Sequence, residues 1–461
     1  MKNCALALAL TLLVGCAPQA KPKDASRTPS STVADAGEIA ATEAVTPETF
    51  LDILGPDAEK FKKAVQQLEQ QWDDGLAVVV LETMTLSPRA RGRQLFDLLS
   101  RMTKQNHKTV NDWFAWYWNQ QKRPPAWYPE FKAKLYSRID PSFARYFQGR
   151  LAENSDIDLT EVRWGGVVRD GIPPLDHPKM LKAAEATYLT DSDVVFGIVN
   201  KGDARAYPKR ILAWHEMFRD EIGGDSIAGV YCTLCGTVIP YLSEGYTIGT
   251  SGFLYRSNKV MYDLKTRSMW STFEGEPVFG PLRGKGIKFD TIPVVTTTWG
   301  EWKKRFPTTT VLSLDTGHRR DYGEGVAYKA YFGSDELMFN IPQVDTRLKN
   351  KDEVLIVRVP GPPLAMAAKF LLNNRVYEDK KGDTKFVVLT DDTGANRVFE
   401  RGEQKFSNYS NNQVLDGSGS PWEVTPDALI GPGSQKLKRL PAHRAFWFGW
   451  FSVHNDTRLV K

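Results

Sequence analysis

One stretch decides the class of fold, and it reads Val194-Val195-Phe196-Gly197-Ile198-Val199-Asn200-Lys201-Gly202-Asp203-Ala204-Arg205-Ala206-Tyr207. The run Val194–Val199 is rich in β-branched residues, which favour strands. Asn200–Asp203 has the composition of a tight turn, because Asn, Gly and Asp accept the backbone conformations that turns need. Ala204–Tyr207 then returns as a second strand. The stretch therefore predicts an antiparallel β-hairpin.

The same pattern extends outward from this hairpin. Short apolar runs alternate with glycines over much of the chain that follows, which is typical of antiparallel strands joined by irregular loops. Helices are expected at Ile211–Phe218 and at Thr298–Arg305, where Thr298 would cap the first turn. The apolar run Ala445–Phe451 would close the core as a buried strand or short helix. We therefore expect a β-rich, mostly antiparallel domain over residues 156–461.

Residues 47–155 have a different, helical pattern. Apolar residues of one segment recur at the spacing of a single helix face: Phe61, Val65, Leu68 and Trp72. An aromatic run, Trp113–Trp118, lies in a further helical stretch. Such a run either packs helix against helix or forms a binding surface, and packing is the simpler interpretation. The two parts together predict an α+β protein with a helical N-terminal domain.

The composition is that of a globular protein and excludes several function classes. The chain has 461 residues, of which 41% are hydrophobic and 25% charged, and its net charge is +5. Because no block of Lys and Arg stands out, we expect no nucleic-acid partner. The sequence also lacks the motifs of most familiar hydrolases, nucleotide-binding proteins and dehydrogenases.

The N-terminus has the pattern of a bacterial lipoprotein signal. Lys2 precedes the apolar segment Ala5–Val14, which at about ten residues suits a secretion signal and is too short to span a bilayer. Leu13-Val14-Gly15-Cys16 then matches the lipobox pattern, so residues 1–15 would be removed and Cys16 would carry lipid. An ordinary signal peptide with incidental cysteines is the alternative.

A lipid on Cys16 predicts where the protein works. The chain would be exported and would bind the membrane through its acyl chains. Ala17, rather than Asp, follows the cysteine, which resembles lipoproteins sent to the periplasmic face of the outer membrane. Residues 16–46 are rich in Ala, Pro, Ser and Thr, and they would form a disordered tether.

Lipidation would leave the folded protein with one pair of thiols. Cys4 would leave with the signal and Cys16 would be acylated, so Cys232 and Cys235 remain, within Tyr231–Gly236. Thiols at this spacing bind a soft metal, exchange with disulfides or close a small structural disulfide. The sequence leaves all three interpretations open.

His215 is the best additional metal ligand that the sequence offers. It lies in Trp214-His215-Glu216-Met217, shortly before the cysteine pair. Cys232, Cys235 and His215 would bind one Cu(I) or Zn(II) ion, with a carboxylate such as Glu216 or a further His or Met completing the site. A lone histidine is otherwise more often a structural residue.

A second polar segment, Asp315–Tyr322, contains Asp315 and His318. Its ionisable groups could hold a catalytic acid–base pair. An exposed turn held by Asp–Arg pairs is the simpler interpretation. Whether the protein is an enzyme stays open at this point.

An ordered string of motifs resembles one exported bacterial family. The motifs are Trp214-His215-Glu216, Val230–Gly236, Gly249–Asn258, Met261-Tyr262-Asp263, Ser268–Ser271, Thr297–Trp299, Val311–Gly317, Asp345–Leu348, Ala445–Trp450 and Asp456–Leu459. Through these motifs, residues 160–460 are similar to the family catalogued as domain of unknown function 3179. The resemblance implies that the cysteine pair, His215-Glu216 and the Asp315 segment belong to one domain, and it implies no activity. The chain departs from the family pattern at His454-Asn455, where Phe-Pro is usual, so His454 is not supported as a shared ligand.

The leading hypothesis is therefore a lipid-anchored envelope protein that binds or handles a metal through Cys232, Cys235 and His215. One alternative is a thiol–disulfide redox protein that uses the same cysteines. The other is an envelope scaffold that binds a partner protein or a glycan and keeps the pair as a structural disulfide.

Overall fold

The predicted hairpin is present. In the computed structural model, which describes residues 43–148, 155–243 and 245–461, Val194–Asn200 and Asp203–Pro208 pair as antiparallel strands. Lys201 and Gly202 between them have φ angles of +48° and +84°. Two positive φ angles make the type of turn whose twist matches that of the flanking strands. The predicted signal, Cys16 and almost all of the predicted tether lie outside the described residues.

Six α-helices lie in the first part of the described chain, and five shorter ones follow. They are α1 (Pro47–Leu54), α2 (Ala58–Gln70), α3 (Leu76–Leu86), α4 (Arg89–Thr103), α5 (Val110–Trp118), α6 (Tyr128–Tyr136), α7 (Lys209–His215), α8 (Trp299–Arg305), α9 (Lys329–Phe332), α10 (Ala368–Asn373) and α11 (Trp447–Val453). Short 3₁₀ segments lie at Pro141–Phe147, Leu159–Glu161, Ala183–Glu185 and Pro432–Ser434.

Capping and packing explain the helical part. Asp57 accepts hydrogen bonds from two backbone N–H groups at the start of α2, and Thr109 caps α5. On the predicted face of α2, Phe61 and Leu68 are buried. The aromatic run of α5 is also largely inside the core, where it buries Trp113, Phe114 and Tyr117. Its main role in the fold is therefore packing.

Short strands make up most of the remaining described chain. They are β1 (Val162–Trp164), β2 (Leu175–Asp176), β3 (Met180–Lys182), β4 (Val194–Asn200), β5 (Asp203–Pro208), β6 (Met217–Ile222), β7 (Asp225–Cys232), β8 (Thr237–Leu242), β9 (Ile248–Tyr255), β10 (Asn258–Asp263), β11 (Met269–Ser271), β12 (Pro277–Phe279), β13 (Val294–Thr298), β14 (Thr310–Leu312), β15 (Glu353–Val357), β16 (Leu364–Ala367), β17 (Val376–Lys381), β18 (Thr384–Thr390), β19 (Asn396–Glu400), β20 (Phe406–Ser410), β21 (Gln413–Asp416), β22 (Pro421–Val424), β23 (Ala428–Ile430), β24 (Lys436–Leu440), β25 (Ala442–Phe446) and β26 (Arg458–Val460).

These strands form five sheets. Their strand orders are β1-β9-β10-β11-β12, β2-β6-β7-β8, β13-β4-β5-β14-β3, β25-β15-β16-β26 and β17-β18-β19-β24-β23-β22-β21-β20. Most neighbours are antiparallel, and the parallel pairs among the described strands are β2–β6, β5–β14 and β16–β26. The α+β class and the mostly antiparallel pairing are thus confirmed.

The helical part shares one hydrophobic core with the first sheet. Ala44–Lys461 form one compact unit, and the helix residues cluster with residues of β9, β10 and β12. Tyr136 of α6 contacts Phe253 of β9 edge to face, with 5.0 Å between the ring centroids. None of the described helices has both the length and the apolar character needed to cross a membrane.

Three further predictions concern single elements of the β-rich part of the chain. Helix α8 begins after Thr298, whose hydroxyl accepts a hydrogen bond from the Glu301 N–H, as predicted. The C-terminal apolar run forms β25 followed by α11, and both are buried. The helix expected at Ile211–Phe218 instead ends at His215, because Glu216 adopts a left-handed backbone and Met217 begins β6.

A long segment, residues 313–352, connects β14 to β15 and contains α9 as its regular element. We call it the covering segment, because it lies over the turn that carries the cysteines. Tyr331 donates a hydrogen bond to the Leu234 carbonyl at 2.8 Å. Ser257 donates a hydrogen bond to the Phe339 carbonyl at 2.5 Å. These contacts hold the covering segment to the sheet below it.

Candidate functional site

The cysteine pair occupies a tight turn between two antiparallel strands. Cys232 ends β7, and β8 begins directly after Gly236. Gly236 has a φ of +60°, and a Cβ at this position would lie 2.8 Å from the Phe446 ring. Glycine avoids both the backbone strain and the clash. The turn holds both cysteines inside the protein, since they are 2% and 0% exposed.

The two sulfurs are free thiols in direct contact. The Sγ atoms of Cys232 and Cys235 lie 2.7 Å apart. A disulfide bond is about 2.05 Å long, so a small displacement would join them. The turn is therefore arranged so that the two thiols could be oxidised to one disulfide.

The hydrogen bonds around the two sulfurs differ in direction. The Sγ of Cys232 accepts a hydrogen bond from the Lys259 backbone N–H at 3.4 Å. The thiol of Cys235 instead donates to Oδ1 of Asn258 at 2.7 Å. A donor stabilises a thiolate, whereas an acceptor stabilises a protonated thiol. The surroundings thus favour ionisation at Cys232 and protonation at Cys235.

The orientation of the Asn258 amide is fixed by its other contacts. Its Nδ2 group donates to the Ser452 hydroxyl at 3.0 Å and to the Gly449 carbonyl at 3.3 Å, both on α11. It also donates to the Arg256 carbonyl at 3.2 Å. With the nitrogen held by these three acceptors, the amide oxygen faces Cys235.

Burial and hydrogen bonding together separate the acidities of the two thiols. Burial by itself disfavours both thiolates. At Cys232, burial raises the pKa, but the contact with the Cys235 side chain and the hydrogen bond from the Lys259 N–H outweigh it and hold the pKa below that of an ordinary cysteine. At Cys235, burial and the adjacent Cys232 raise the pKa well above the ordinary value. Cys232 is therefore the thiol that ionises first.

A buried ion pair lies beside Cys232. The Lys259 Nζ is 2.9 Å from Oε2 of Glu216, and both side chains are nearly inaccessible. The same ammonium donates to the Glu216 carbonyl at 2.9 Å. Glu216 has a φ of +55°, a conformation that costs a non-glycine residue about 1–2 kcal/mol. The pair holds Glu216 in this conformation at the end of α7.

Cys232 also lines a small cavity of about 60 Å³. An open groove of about 680 Å³ adjoins it. The groove and the cavity share three wall residues: Val167, Ile172 and Tyr328. The remaining polar wall of the cavity is formed by Glu216, Thr233, Thr250 and Lys259. Cys232 is thus the cysteine that a small molecule could reach.

His215 does not join the thiols. Its Nδ1 donates to the Pro173 carbonyl at 2.8 Å, and its Nε2 accepts from the Tyr322 hydroxyl at 2.6 Å. Burial lowers the pKa of His215 to about 4, so the ring is neutral at physiological pH. Within the parts of the chain that the structure describes, no group of three or more His, Cys, Asp or Glu side chains could hold a metal ion. The predicted set of Cys232, Cys235 and His215 is therefore not assembled.

The predicted Asp315–His318 segment is a surface turn. Asp315 is exposed and pairs with Lys179 at 3.1 Å, rather than with an arginine. His318 is exposed, and its ring centroid lies 5.1 Å from that of His215. Glu216, in contrast, is the one secondary candidate that lies in the cavity with Cys232.

Four residues of the site were not singled out from the sequence. Asn258 and Lys259 begin β10, Thr250 lies on β9, and Thr233 lies between the two cysteines. Thr250 and Asn258 belong to the Gly249–Asn258 motif that carries the family resemblance. The sequence did carry a signal for these residues, because they are polar and lie inside runs that were expected to form buried strands.

The fold and the site define an α+β protein with a buried, asymmetrically hydrogen-bonded dithiol. The chain belongs to the family described as "Protein of unknown function (DUF3179)", which matches residues 169–457. This confirms the resemblance seen in the motifs. The matched range includes the cysteine pair, and the helices α1–α6 precede it. The comparisons with curated proteins and with solved structures found no match.

Proposed function

We propose that the protein is a dithiol redox protein of the cell envelope, in which Cys232 reacts first and Cys235 resolves the intermediate. The opposite hydrogen bonding of the two sulfurs carries this proposal. Lys259 supplies a donor to Cys232, and Asn258 supplies an acceptor to Cys235. A reactive thiolate next to a protonated partner thiol is the arrangement that thiol–disulfide exchange requires.

The chemistry balances as a two-electron exchange. The Cys232 thiolate attacks one sulfur of a substrate disulfide, so an S–S bond forms to Cys232 and the substrate S–S bond breaks. The released thiolate takes up the proton that Cys232 gave up. Cys235 then loses its proton and attacks the Cys232 sulfur, which closes the Cys232–Cys235 disulfide and releases the second substrate thiol. The substrate is reduced and the protein is oxidised.

The buried ion pair places the charge of Glu216 beside Cys232 together with an opposite charge. The negative charge of Glu216 raises the pKa of the neighbouring Cys232 thiol. The Lys259 ammonium, 2.9 Å from the carboxylate, offsets that charge. Lys259 therefore favours the thiolate directly through its backbone N–H, and its side chain pairs with the carboxylate that opposes ionisation.

The redox equilibrium of the pair tests the proposal. Full-length protein with Cys4→Ser and Cys16→Ser keeps Cys232 and Cys235 as its two cysteines. After equilibration with mixtures of reduced and oxidised glutathione, mass spectrometry of alkylated peptides should show one reversible two-electron couple. Cys232→Ser and Cys235→Ser, as matched controls, should each abolish the intramolecular disulfide. A pair that stays reduced in every mixture, or that stays oxidised in every mixture, would contradict the proposal.

We propose in addition that the protein is exported and held by lipid on Cys16 at the periplasmic face of the outer membrane. The lipobox Leu13–Cys16 after the apolar segment Ala5–Val14 supports this location. Metabolic labelling with a radioactive fatty acid should label the wild-type chain in the membrane fraction. Cys16→Ser should remove the label, and Cys4→Ser should keep it. A label that persists in Cys16→Ser would overturn the anchor.

Metal binding by the thiols is the competing function, and metal content separates the two. Because His215 is bonded to Pro173 and Tyr322, a metal at the cysteines would lack the predicted third ligand. We expect the purified reduced protein to hold well under one equivalent of Cu(I) or Zn(II) after dialysis. One tightly bound equivalent that is lost in Cys232→Ser would favour the metal-handling function instead.

A further inference from the structure

Two hydroxyl groups in the wall of the Cys232 cavity have no protein partner. Thr233 is 1% exposed and Thr250 is 3% exposed. Neither side-chain oxygen has a hydrogen-bond partner among the described residues. Buried hydroxyls are nearly always paired, with protein, water or ligand. Both residues line the cavity that Cys232 lines. The cavity is thus equipped to hydrogen-bond a polar guest.

The size of the cavity limits what that guest is. At about 60 Å³, the cavity is well below the roughly 300–1,000 Å³ of pockets that bind drug-sized ligands, so it fits a small polar molecule. A peptide disulfide is larger than this space and would have to meet Cys232 from the adjoining groove. A molecule of two bonded oxygen atoms matches both the size and the two unpaired hydroxyls.

We propose that hydrogen peroxide binds in this cavity and that the Cys232–Cys235 dithiol reduces it. The inference rests on the proposed redox function, since it uses Cys232 as the reacting thiol and Cys235 as its partner. Each oxygen of the peroxide both donates and accepts hydrogen bonds, so it can pair with the hydroxyls of Thr233 and Thr250. Binding there places the O–O bond beside the Cys232 sulfur.

The reaction consumes one peroxide and forms one disulfide. The Cys232 thiolate attacks one peroxide oxygen, so an S–O bond forms and the O–O bond breaks. The leaving oxygen takes up the proton lost by Cys232 and departs as water, while Cys232 becomes a sulfenic acid. The Cys235 sulfur then attacks the Cys232 sulfur, and the S–O bond breaks to release a second water. Peroxide is reduced by two electrons and the dithiol is oxidised to a disulfide.

The groove next to the cavity offers the route of entry. Tyr328 forms part of the wall between them and is partly exposed. Its hydroxyl lies 3.5 Å from Oε1 of Glu216, at the weak limit of a hydrogen bond. Its backbone has a φ of +57° at the start of α9. Tyr328 therefore stands between the cavity and the open groove.

The rate of oxidation by hydrogen peroxide tests the inference. In the Cys4→Ser/Cys16→Ser background, stopped-flow measurement should give a second-order rate constant at least tenfold above that of free cysteine at pH 7. When Cys235→Ser is added to this background, dimedone should trap a sulfenic acid on Cys232. A bulky tertiary hydroperoxide should react at least tenfold more slowly than hydrogen peroxide, because it does not fit the cavity.

Isosteric variants give the sharper comparison. Thr233→Val and Thr250→Val each remove one hydroxyl and should slow the peroxide reaction about tenfold, the effect of one lost hydrogen bond to the reacting group. Alkylation of Cys232 by iodoacetamide should change by less than twofold in the same variants. Thr297→Val is the matched control, since Thr297 also has a buried hydroxyl without a partner among the described residues but does not line the cavity.

The outcomes separate this inference from the proposed function. If glutathione oxidises the dithiol reversibly but peroxide reacts no faster than with free cysteine, the peroxide inference is wrong and the redox function stands. The same holds if Thr233→Val and Thr250→Val leave the peroxide rate unchanged. If neither oxidant forms the Cys232–Cys235 disulfide, both are wrong.

Discussion

Two consecutive residues make the two thiols chemically different. Lys259 presents its backbone N–H to Cys232, and Asn258 presents its side-chain oxygen to Cys235. Both lie at the start of β10, which reaches the cysteine turn from another sheet. The difference between the thiols therefore comes from long-range packing, and the spacing of the cysteines in the sequence does not encode it.

The Cys-x-x-Cys pair itself was predictable, because its geometry is local. The sequence could not show that His215 bonds elsewhere and does not join the thiols. His215 and Glu216 are neighbours in the sequence, yet His215 bonds to Pro173 and Tyr322 while Glu216 pairs with Lys259. The helix ends between them, so their side chains leave in different directions. Proximity along the chain could not reveal this.

His215 should make the fold sensitive to acid. Burial, with a smaller effect from His318 and Arg320, lowers its pKa to about 4, against about 6.5 in an unfolded chain. Between these values the unfolded chain binds a proton that the folded chain does not. The stabilisation is therefore complete above about pH 6.5 and is lost as the pH falls towards 4. Urea unfolding at pH 7 and pH 4.5 should show a smaller loss in His215→Gln than in the wild type.

His177→Gln is the control for this prediction, because His177 is exposed and is not among the groups that shift the pKa of His215. It should lose as much stability between the two pH values as the wild type does. An equal loss in His215→Gln and the wild type would show that His215 does not carry the effect.

At the scale of elements, α11 is the support of the cysteine turn. The backbone N–H of Phe446, just before α11, donates to the Cys235 carbonyl at 2.7 Å. Within α11, a Cβ on Gly449 would lie 3.0 Å from the Cβ of Cys235 and 3.4 Å from its sulfur. The helix and the turn are therefore packed without room for one more methyl group.

Gly449→Ala should destabilise the protein although alanine favours helices. Helix propensity would add about 1 kcal/mol of stability, and overpacking against Cys235 costs about 1–3 kcal/mol. We expect a net loss of about 1 kcal/mol in urea unfolding. Gly92→Ala in α4 is the matched control, because nothing lies within 4 Å of its Cβ position. It should gain about 1 kcal/mol, and equal effects of the two substitutions would refute this account of the packing.

Elements with local signals were predictable and elements ended by distant contacts were less so. The hairpin β4–β5 has its turn residues in the sequence, and α8 has its cap at Thr298. Helix α7 was expected to run to Phe218, because the apolar pattern continues through Met217. The ion pair of Glu216 with Lys259 holds the left-handed residue that ends it.

At the scale of the whole molecule, a buried ion pair ties the helices to the first sheet. The Lys132 Nζ on α6 lies 2.5 Å from Oε1 of Glu82 on α3, with both side chains buried. The same ammonium donates to the Val162 carbonyl of β1 at 2.7 Å. The helical part and the sheet are therefore joined by polar contacts as well as by their shared core.

Lys132→Met should destabilise the protein by about 3–5 kcal/mol, because it leaves the Glu82 carboxylate buried without its counter-ion. Lys134→Met on the same helix is the matched control. Lys134 pairs with Glu130 at the surface and is 36% exposed, so its loss should cost about 0–1 kcal/mol. Urea unfolding of both variants checks the prediction, and similar losses would contradict it.

The fold class could be predicted, whereas the order of the strands could not. Glycine-punctuated apolar runs are enough to indicate antiparallel strands. In the eight-stranded sheet, β19 pairs with β24. The backbone N–H of Phe406, the first residue of β20, donates to the Glu378 carboxylate of β17 at 2.7 Å. Such pairings join residues far apart in the chain. A pattern of hydrophobicity does not specify which distant strands meet.

The pH dependence of alkylation at each cysteine tests the central claim most directly. In full-length Cys4→Ser/Cys16→Ser protein, mass spectrometry can follow the modification of Cys232 and Cys235 separately. Because the pKa of Cys232 is lowered, we expect its alkylation to begin at a lower pH than the alkylation of free cysteine. Because the pKa of Cys235 is raised, we expect its alkylation to begin at a much higher pH than that of free cysteine. Modification of both cysteines over the same pH range, or of Cys235 first, would contradict the account.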